Sequence, residues 1–163
     1  MMMAVTADGK IAKNDHHLPT DWTSNEDKKI FTQISKEFGV IMMGEKTFAT
    51  FPAPLPDRLN VVFVQDLNKP ETPGVKWVTG QPEPVLQKLE KMGYTTALLG
   101  GGAFLNTLFL ERKLINEIIL TVEPKIFGQG LGLFNNDFDV NLQLLEVKKI
   151  NDNTLVLRYK IIY

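Results

Sequence analysis

The chain reads as an α/β fold: a doubly wound, mostly parallel sheet with helices on both faces, closed by an antiparallel hairpin at the C-terminal end. Three observations predict it. Short β-like apolar runs alternate with helix-like stretches, the pattern of strand–helix–strand units that cover both faces of a sheet. No repeat, low-complexity tract or linker divides the 163 residues, so residues 1–163 read as one domain long enough to bury a core. The last two β-like runs flank Asn151-Asp152-Asn153, a turn sequence, and so read as a hairpin.

The elements follow in order. Met1–Thr6 is the first strand, its methionines suiting a core position better than chemistry. Ala7 to Trp22 is a long loop, and such a loop in a compact domain is more often a functional lid than an accident. Glu26–Glu37 reads as a helix because Ile30, Phe31, Ile34 and Phe38 recur at helical spacing and lay one apolar stripe on the sheet. Gly39–Met43 is an apolar strand, and Lys46–Thr50 a short helix after it. Leu59–Val64 and Val75–Val78 are strands rich in β-branched and aromatic residues. Glu83–Lys91 is a helix. Thr95–Leu99 is a strand that runs into Gly100-Gly101-Gly102, and Ala103–Leu110 is a helix beyond that turn. Glu117–Val122 is the last strand before the hairpin of Leu142–Lys149 and Thr154–Ile162. Gly128-Gln129-Gly130-Leu131-Gly132 has no strand leading into it and no helix after it, and reads as a loop. Ligands of such sheets bind beyond the carboxyl ends of the strands. Three loops leave on that side: Ala7 to Trp22, Gly44 to Thr47, and the glycine triplet.

Composition narrows the function classes. Hydrophobic content of 44% and charged content of 23% are ordinary for a globular protein. A net charge of −1 makes no electrostatic case for nucleic acid or an anionic membrane. No apolar run approaches membrane-spanning length, and the opening residues lack the basic flank of a signal peptide, so a cytoplasmic protein is the expectation. The absence of cysteine excludes disulfides, thiolate catalysis and cysteine metal sites. His16 and His17 are adjacent and lack further ligands at zinc spacing, so no metal is expected. No Ser/His/Asp arrangement and no Walker-type lysine motif is present.

A strand that stops on Gly100-Gly101-Gly102 and turns into a helix lets backbone approach a diphosphate, with the first helical N–H groups aimed at the anion. A tight strand-to-helix turn explains the same glycines. Asp27 likewise has two readings: a recognition carboxylate, or the third helical residue of a cap built on Ser24, with Thr23 and Glu26 as the parallel pair.

With these residues in hand, the chain resembles the dihydrofolate reductase superfamily, which includes dihydrofolate reductases and the pyrimidine reductases of riboflavin synthesis, the branch of the RibD C-terminal domain. The resemblance covers nearly the whole chain. It runs through Ala7-Asp8-Gly9-Lys10-Ile11-Ala12, Trp22, the Glu26-Asp27 pair, Met43-Gly44-Glu45-Lys46-Thr47-Phe48, Leu55-Pro56-Asp57-Arg58, Leu98 to Gly102 and Ile119-Leu120-Thr121. The Gly-x-x-Thr-Phe segment, Leu-Pro-x-Arg and the spacing of Trp22, Asp27 and Phe31 look like dihydrofolate reductase. The Asp-Gly-Lys-Ile-Ala loop and Glu123 to Gly130 look like the pyrimidine reductases. The favoured expectation is NADPH-dependent reduction of 7,8-dihydrofolate to tetrahydrofolate. Reduction of a ribosylamino-pyrimidine stands as the alternative, and a module that holds nucleotide without turnover as a third reading. The partner is a small molecule, folate or pyrimidine, and the chain a monomer or homodimer.

The resemblance also assigns roles. Asp27 would accept a paired hydrogen bond from a ring N–H and its neighbouring amino group and assist proton delivery, with Glu26 as fallback. Phe31, one helical turn on, would face the substrate. Thr121 would hydrogen-bond the carboxylate, and the Trp22 indole would hold a site water; a good strand residue and a loop anchor are the plainer readings of the two. Arg58 would clamp an anionic substrate tail, or else be an exposed strand-start arginine. Gly44, Lys46 and Thr47 would meet cofactor phosphate, Gly100, Gly101 and Gly102 the diphosphate and nicotinamide side, and Ala4 and Ile11 the nicotinamide amide. Glu45 stands where members carry a basic residue, and Gln65-Asp66 where they carry a small hydroxylated one. Carboxylates there would repel a ribose 2′-phosphate, so NADH stays open beside NADPH.

Overall fold

The computed structural model describes residues 1–163. The elements run β1 (Met2–Thr6), β2 (Lys10–Ala12), a 3-10 turn at Pro19–Asp21, α1 (Asn25–Phe38), β3 (Val40–Gly44), α2 (Glu45–Phe48), β4 (Leu59–Phe63) and β5 (Val75–Val78). They continue with α3 (Pro82–Lys91), β6 (Leu98–Leu99), α4 (Ala103–Glu111), β7 (Glu117–Glu123), β8 (Leu131–Gly132), β9 (Asn141–Lys149) and β10 (Leu155–Ile162). One four-stranded sheet is wholly parallel in the order β5-β4-β3-β6. A second runs β1-β7-β10-β9, with β1 parallel to β7 and the β9–β10 hairpin antiparallel. The fold is the α/β class that the alternation predicts.

The two sheets share both of their faces. In a strand, successive side chains point to opposite sides. Val40 and Met42 of β3 therefore join Val61, Leu99 and Ile118 in a cluster packed by α3 and α4. Ile41 and Met43 join Val62 and Leu98 in a second cluster, covered by Ile30, Phe31, Ile34 and Phe38 of α1 and Ile119 of β7. Helices on both faces explain why β3 reads as an unbroken apolar run, and β4 as one interrupted only by Asn60, rather than as alternating strands. α1 begins at Ser24, whose hydroxyl accepts from Asp27 N–H, and ends on left-handed Gly39 at φ 69°. No helix is long and apolar enough to cross a membrane.

Three expectations need correction. The strand expected at Thr95–Leu99 is only Leu98–Leu99, because only these two find partners, Ile41 and Met42 of β3. The expected short helix Lys46–Thr50 is a single turn, Glu45–Phe48. The loop Ala7 to Trp22 and the segment Gly128 to Gly132 are joined by an antiparallel pairing of β2 with β8. Gly130 makes that pairing close: a Cβ there would stand 2.4 Å from the carbonyl oxygen of Ala12. The pairing is non-local and two residues long on one side, too short for a period to show.

Candidate active site

A cavity of about 1210 Å³ opens at the carboxyl ends of the parallel strands. Gly44 at the end of β3, Gly100 and Gly102 after β6, and Asp27 and Phe31 of α1 all line it, with Ala4 of β1 and Ile11 and Trp22 of the first loop. Turns far apart in sequence thus meet at one mouth.

The floor of one half is backbone. Gly44 N–H donates to the carbonyl of Gly101 at 2.8 Å, and Gly100 N–H to that of Met42 at 2.8 Å, so the two glycine turns are bonded to each other and to β3. Gly101 adopts φ +88°, and a Cβ there would lie 2.8 Å from Met3 Sδ; the Gly101–Gly102 peptide is cis. Gly102 caps α4 without a side-chain acceptor, leaving the first N–H groups of a nine-residue helix with no capping side chain. Gly102, Ala103, Phe104 and Leu105 line the cavity there. Unpaired first-turn donors on a small-residue cradle suit a diphosphate, so the residues present fit a dinucleotide. Thr47 stands beside this turn, its Oγ1 3.2 Å from where a Gly102 Cβ would be. Lys46 lines the cavity as well, ion-paired at 2.5 Å to Asp15, another lining residue, with its side chain 82% exposed.

The other half is built from side chains. Asp27 is buried at the start of α1. Its backbone N–H bonds Ser24 Oγ at 3.2 Å, so the cap is real. The carboxyl does not return to the Ser24 N–H, as a capping box requires. That N–H donates instead to Glu123 Oε1 at 2.7 Å, and Thr154 Oγ1 donates to Glu123 Oε2 at 3.1 Å. Glu123 thereby releases the Asp27 carboxyl to line the cavity. Burial pushes that carboxyl above the ordinary carboxylate range, and the charge of Glu123 pushes the same way; the hydroxyls of Thr121 and Thr23 and the charge of Lys28 oppose them. The Thr121 contact does not complete a hydrogen bond, and Thr121 Oγ1 and Trp22 Nε1 are buried polar atoms without partners. Thr121 is central in β7, paired with Ala4 on one side and Val156 on the other.

Around this acid, Phe31 stacks on Phe51 with ring centroids 6.2 Å apart. Trp22 meets Phe127 edge-on at 5.2 Å, and His17 packs on both. Asp8 ties the loop down by accepting from the N–H groups of Phe127 and Gly128 at 3.2 and 2.7 Å. These bonds and the Thr6 hydroxyl, the largest influence, hold the Asp8 carboxyl below its ordinary range. Glu26 lies outside the cavity lining, its carboxylate accepting from Asn151 Nδ2 at 3.2 Å. Glu123, Lys28, Phe51 and Phe127 are given no site role by the sequence reading, although Glu123 and Phe127 fall in the segment that resembles the pyrimidine reductases.

Arg58 is the clearest departure. It is buried but does not line the cavity. Its Nε donates to Pro56 O at 2.8 Å, and its Nη1 to Ser35 Oγ and to Thr32 O at 3.4 Å. Burial lowers the guanidinium from its ordinary value, with Asp57 opposing. Its Nε and Nη1 tie the Pro56 turn to α1, and the residue is absent from the cavity lining.

Parallel strands closing on glycine turns, an antiparallel terminal hairpin and one shared mouth define an α/β protein of the dihydrofolate reductase-like fold. Within it, the profile of the RibD C-terminal domain matches residues 1–156, and the chain belongs to that family. An uncharacterised protein of Bacillus subtilis (strain 168), YwjB, is 24% identical over 143 residues, covering 83% of this chain and 81% of its own. A protein of Shewanella sp. PV-4 assigned to riboflavin biosynthesis has a structure similar to this one, with a TM-score of 0.80, 21% identity, and coverage of 99% of this chain and 97% of that one. The diaminohydroxyphosphoribosylaminopyrimidine deaminase/5-amino-6-(5-phosphoribosylamino)uracil reductase of Thermotoga maritima has a TM-score of 0.77 at 17% identity, covering 99% of this chain and 55% of the longer relative.

The family match corrects the favoured expectation of dihydrofolate reduction, and tetrahydrofolate synthesis falls with it.

Proposed function

We propose that the protein is an oxidoreductase that uses a reduced nicotinamide dinucleotide to reduce a ribosylamino-pyrimidine, opening its ribose to a ribityl chain. The observation that carries this reading is the pairing, in one cavity, of a backbone cradle suited to a diphosphate with a buried acid that no cation neutralises. The dinucleotide supplies a hydride. Everything else falls to this chain. Gly44, Gly100, Gly101, Gly102 and the start of α4 would hold the diphosphate, with Thr47 beside it. Ala4 and Ile11 would face the nicotinamide. Asp27 would bind the adjacent N–H and amino groups of the pyrimidine and, protonated more readily than an exposed acid, hold a proton near the ring-opening oxygen. Phe31 would pack on the ring, and the free Trp22 Nε1–H and Thr121 hydroxyl would complete its polar contacts.

Family membership and the riboflavin-pathway names of the two structural relatives favour this substrate class. Purified protein is mixed with reduced dinucleotide and the 5′-phosphate of 5-amino-6-ribosylaminouracil, and loss of the reduced nicotinamide absorbance is followed. Oxidation dependent on the pyrimidine is expected. No oxidation with it, or oxidation with dihydrofolate alone, overturns the proposal.

A further inference from the structure

The same cavity has a far end, beyond the carboxyl ends of β3, β4 and β5, where its lining passes from Glu45 to Gln65 and on to Thr79, Gly80 and Gln81. Among these five, only Glu45 is charged. Its Oε1 is bonded by Lys69 Nζ, and the two side chains remain 46% and 26% exposed. The neighbouring lysine, Lys46, also lines the cavity and is ion-paired to Asp15, which lines it too. Asp66, next to Gln65, has its Oδ1 on the Asn68 N–H at 2.9 Å and no lysine partner. Lys46 and Lys69 are thus each matched by a carboxylate, and Asp66 is left over.

A dinucleotide with its diphosphate on the start of α4 and its nicotinamide toward Asp27 brings its adenosine ribose to this end. Resting on that proposed reading, we infer that Glu45 is a specificity residue: its carboxylate accepts hydrogen bonds from the ribose hydroxyls, and the site selects NADH over NADPH. A carboxylate at a strand end is a known means of reading an unphosphorylated ribose, and an O–H···O⁻ bond is of the strong, charge-assisted kind. A 2′-phosphate brings close to two negative charges of its own. It would meet Glu45 while Lys46 and Lys69 are both already paired, and drawing Lys69 to the phosphate would leave Glu45 unpaired beside it. The selectivity runs against the NADPH that the family resemblance implies, and it does so on residues particular to this chain.

Direct binding tests the inference without turnover. NADH and NADPH are titrated by nicotinamide fluorescence, and ADP-ribose and its 2′-phosphate by calorimetry, against the wild-type chain, Glu45→Gln and Glu45→Arg. The wild type should bind the unphosphorylated member of each pair about tenfold tighter or more. Glu45→Gln should reduce that ratio to within about threefold, and Glu45→Arg should reverse it. Equal or tighter binding of NADPH by the wild type overturns the inference, as does a ratio untouched by both variants. If NADPH binds tightly and the pyrimidine is reduced, this inference alone fails. If none of the four ligands binds, the dinucleotide reading fails with it.

Discussion

The two ends of the cavity are made of different material. The acid end is a knot of buried side chains in which Glu123, Ser24 and Thr154 fix one another and leave the Asp27 carboxyl facing the cavity. The glycine end is backbone, Gly44 bonded to Gly101 and an uncapped helix start, with its charged side chains in exposed ion pairs. Exposed ion pairs of that kind contribute about 0–1 kcal/mol each, whereas a buried acid without a cation costs the fold several times as much. The acid end therefore reads the positions of particular protons, and one atom changed there should cost much. The backbone end reads a shape, tolerating many side chains but not an added Cβ.

The sharpest way to break the contrast is Asp27→Asn. Turnover should fall at least about 100-fold, while dinucleotide affinity should stay within about twofold, measured by stopped-flow and by fluorescence titration. Equal losses in both would mean that the two ends do not divide the work.

Varying pH sharpens the same point. Burial raises the Asp27 carboxyl above its unfolded value, so its support of the fold is full below the ordinary carboxylate range and is lost as pH rises through the raised value. Asp27→Asn should accordingly melt higher than wild type above that point, the gain shrinking as the solution is acidified; melting curves across pH read it. The rate should likewise decline as pH climbs through the same range if the protonated acid is the working form. A flat rate profile would remove Asp27 from proton delivery.

Arg58→Ala should act on stability and not on the site, costing about 2 kcal/mol in urea unfolding while KM for a phosphate-bearing substrate holds steady per folded molecule. A large rise in KM would return Arg58 to the cavity. The smallest effect separates two glycines. A Cβ at Gly101 would collide with Met3 at a positive φ, so Gly101→Ala should lower stability by about 1–2 kcal/mol. At Gly44 the nearest atom is 3.9 Å away, so Gly44→Ala should fold normally and weaken the dinucleotide about tenfold only if the ligand lies against it.

What the sequence shows of this molecule is what is periodic or local. The stripe of Ile30, Phe31, Ile34 and Phe38, the apolar runs of β3 and β4 and the cap at Ser24 are all legible, because each depends on neighbours along the chain. Leu-Pro-x-Arg places the backbone of Arg58 correctly but says nothing of which way the guanidinium turns; that is decided by Ser35, a lone buried hydroxyl beside the apolar stripe of α1. Glu123 is 99 residues from Ser24, so no local pattern could show it taking the cap's N–H and freeing Asp27. The substrate preference went astray for a related reason: short motifs shared by two branches locate the mouth without naming the ring that enters it.

The outermost strand bears on how the molecule comes apart. Every residue of β9 is exposed and its only neighbour is β10, whereas β3 is flanked on both sides and buried along four of its five positions. Amide protons of β9 should therefore exchange with solvent well before those of β3. Such fraying has a natural stop: at Thr154, just ahead of β10, the hydroxyl is latched to the interior acid, so the rim of the sheet can breathe while the cavity stays assembled.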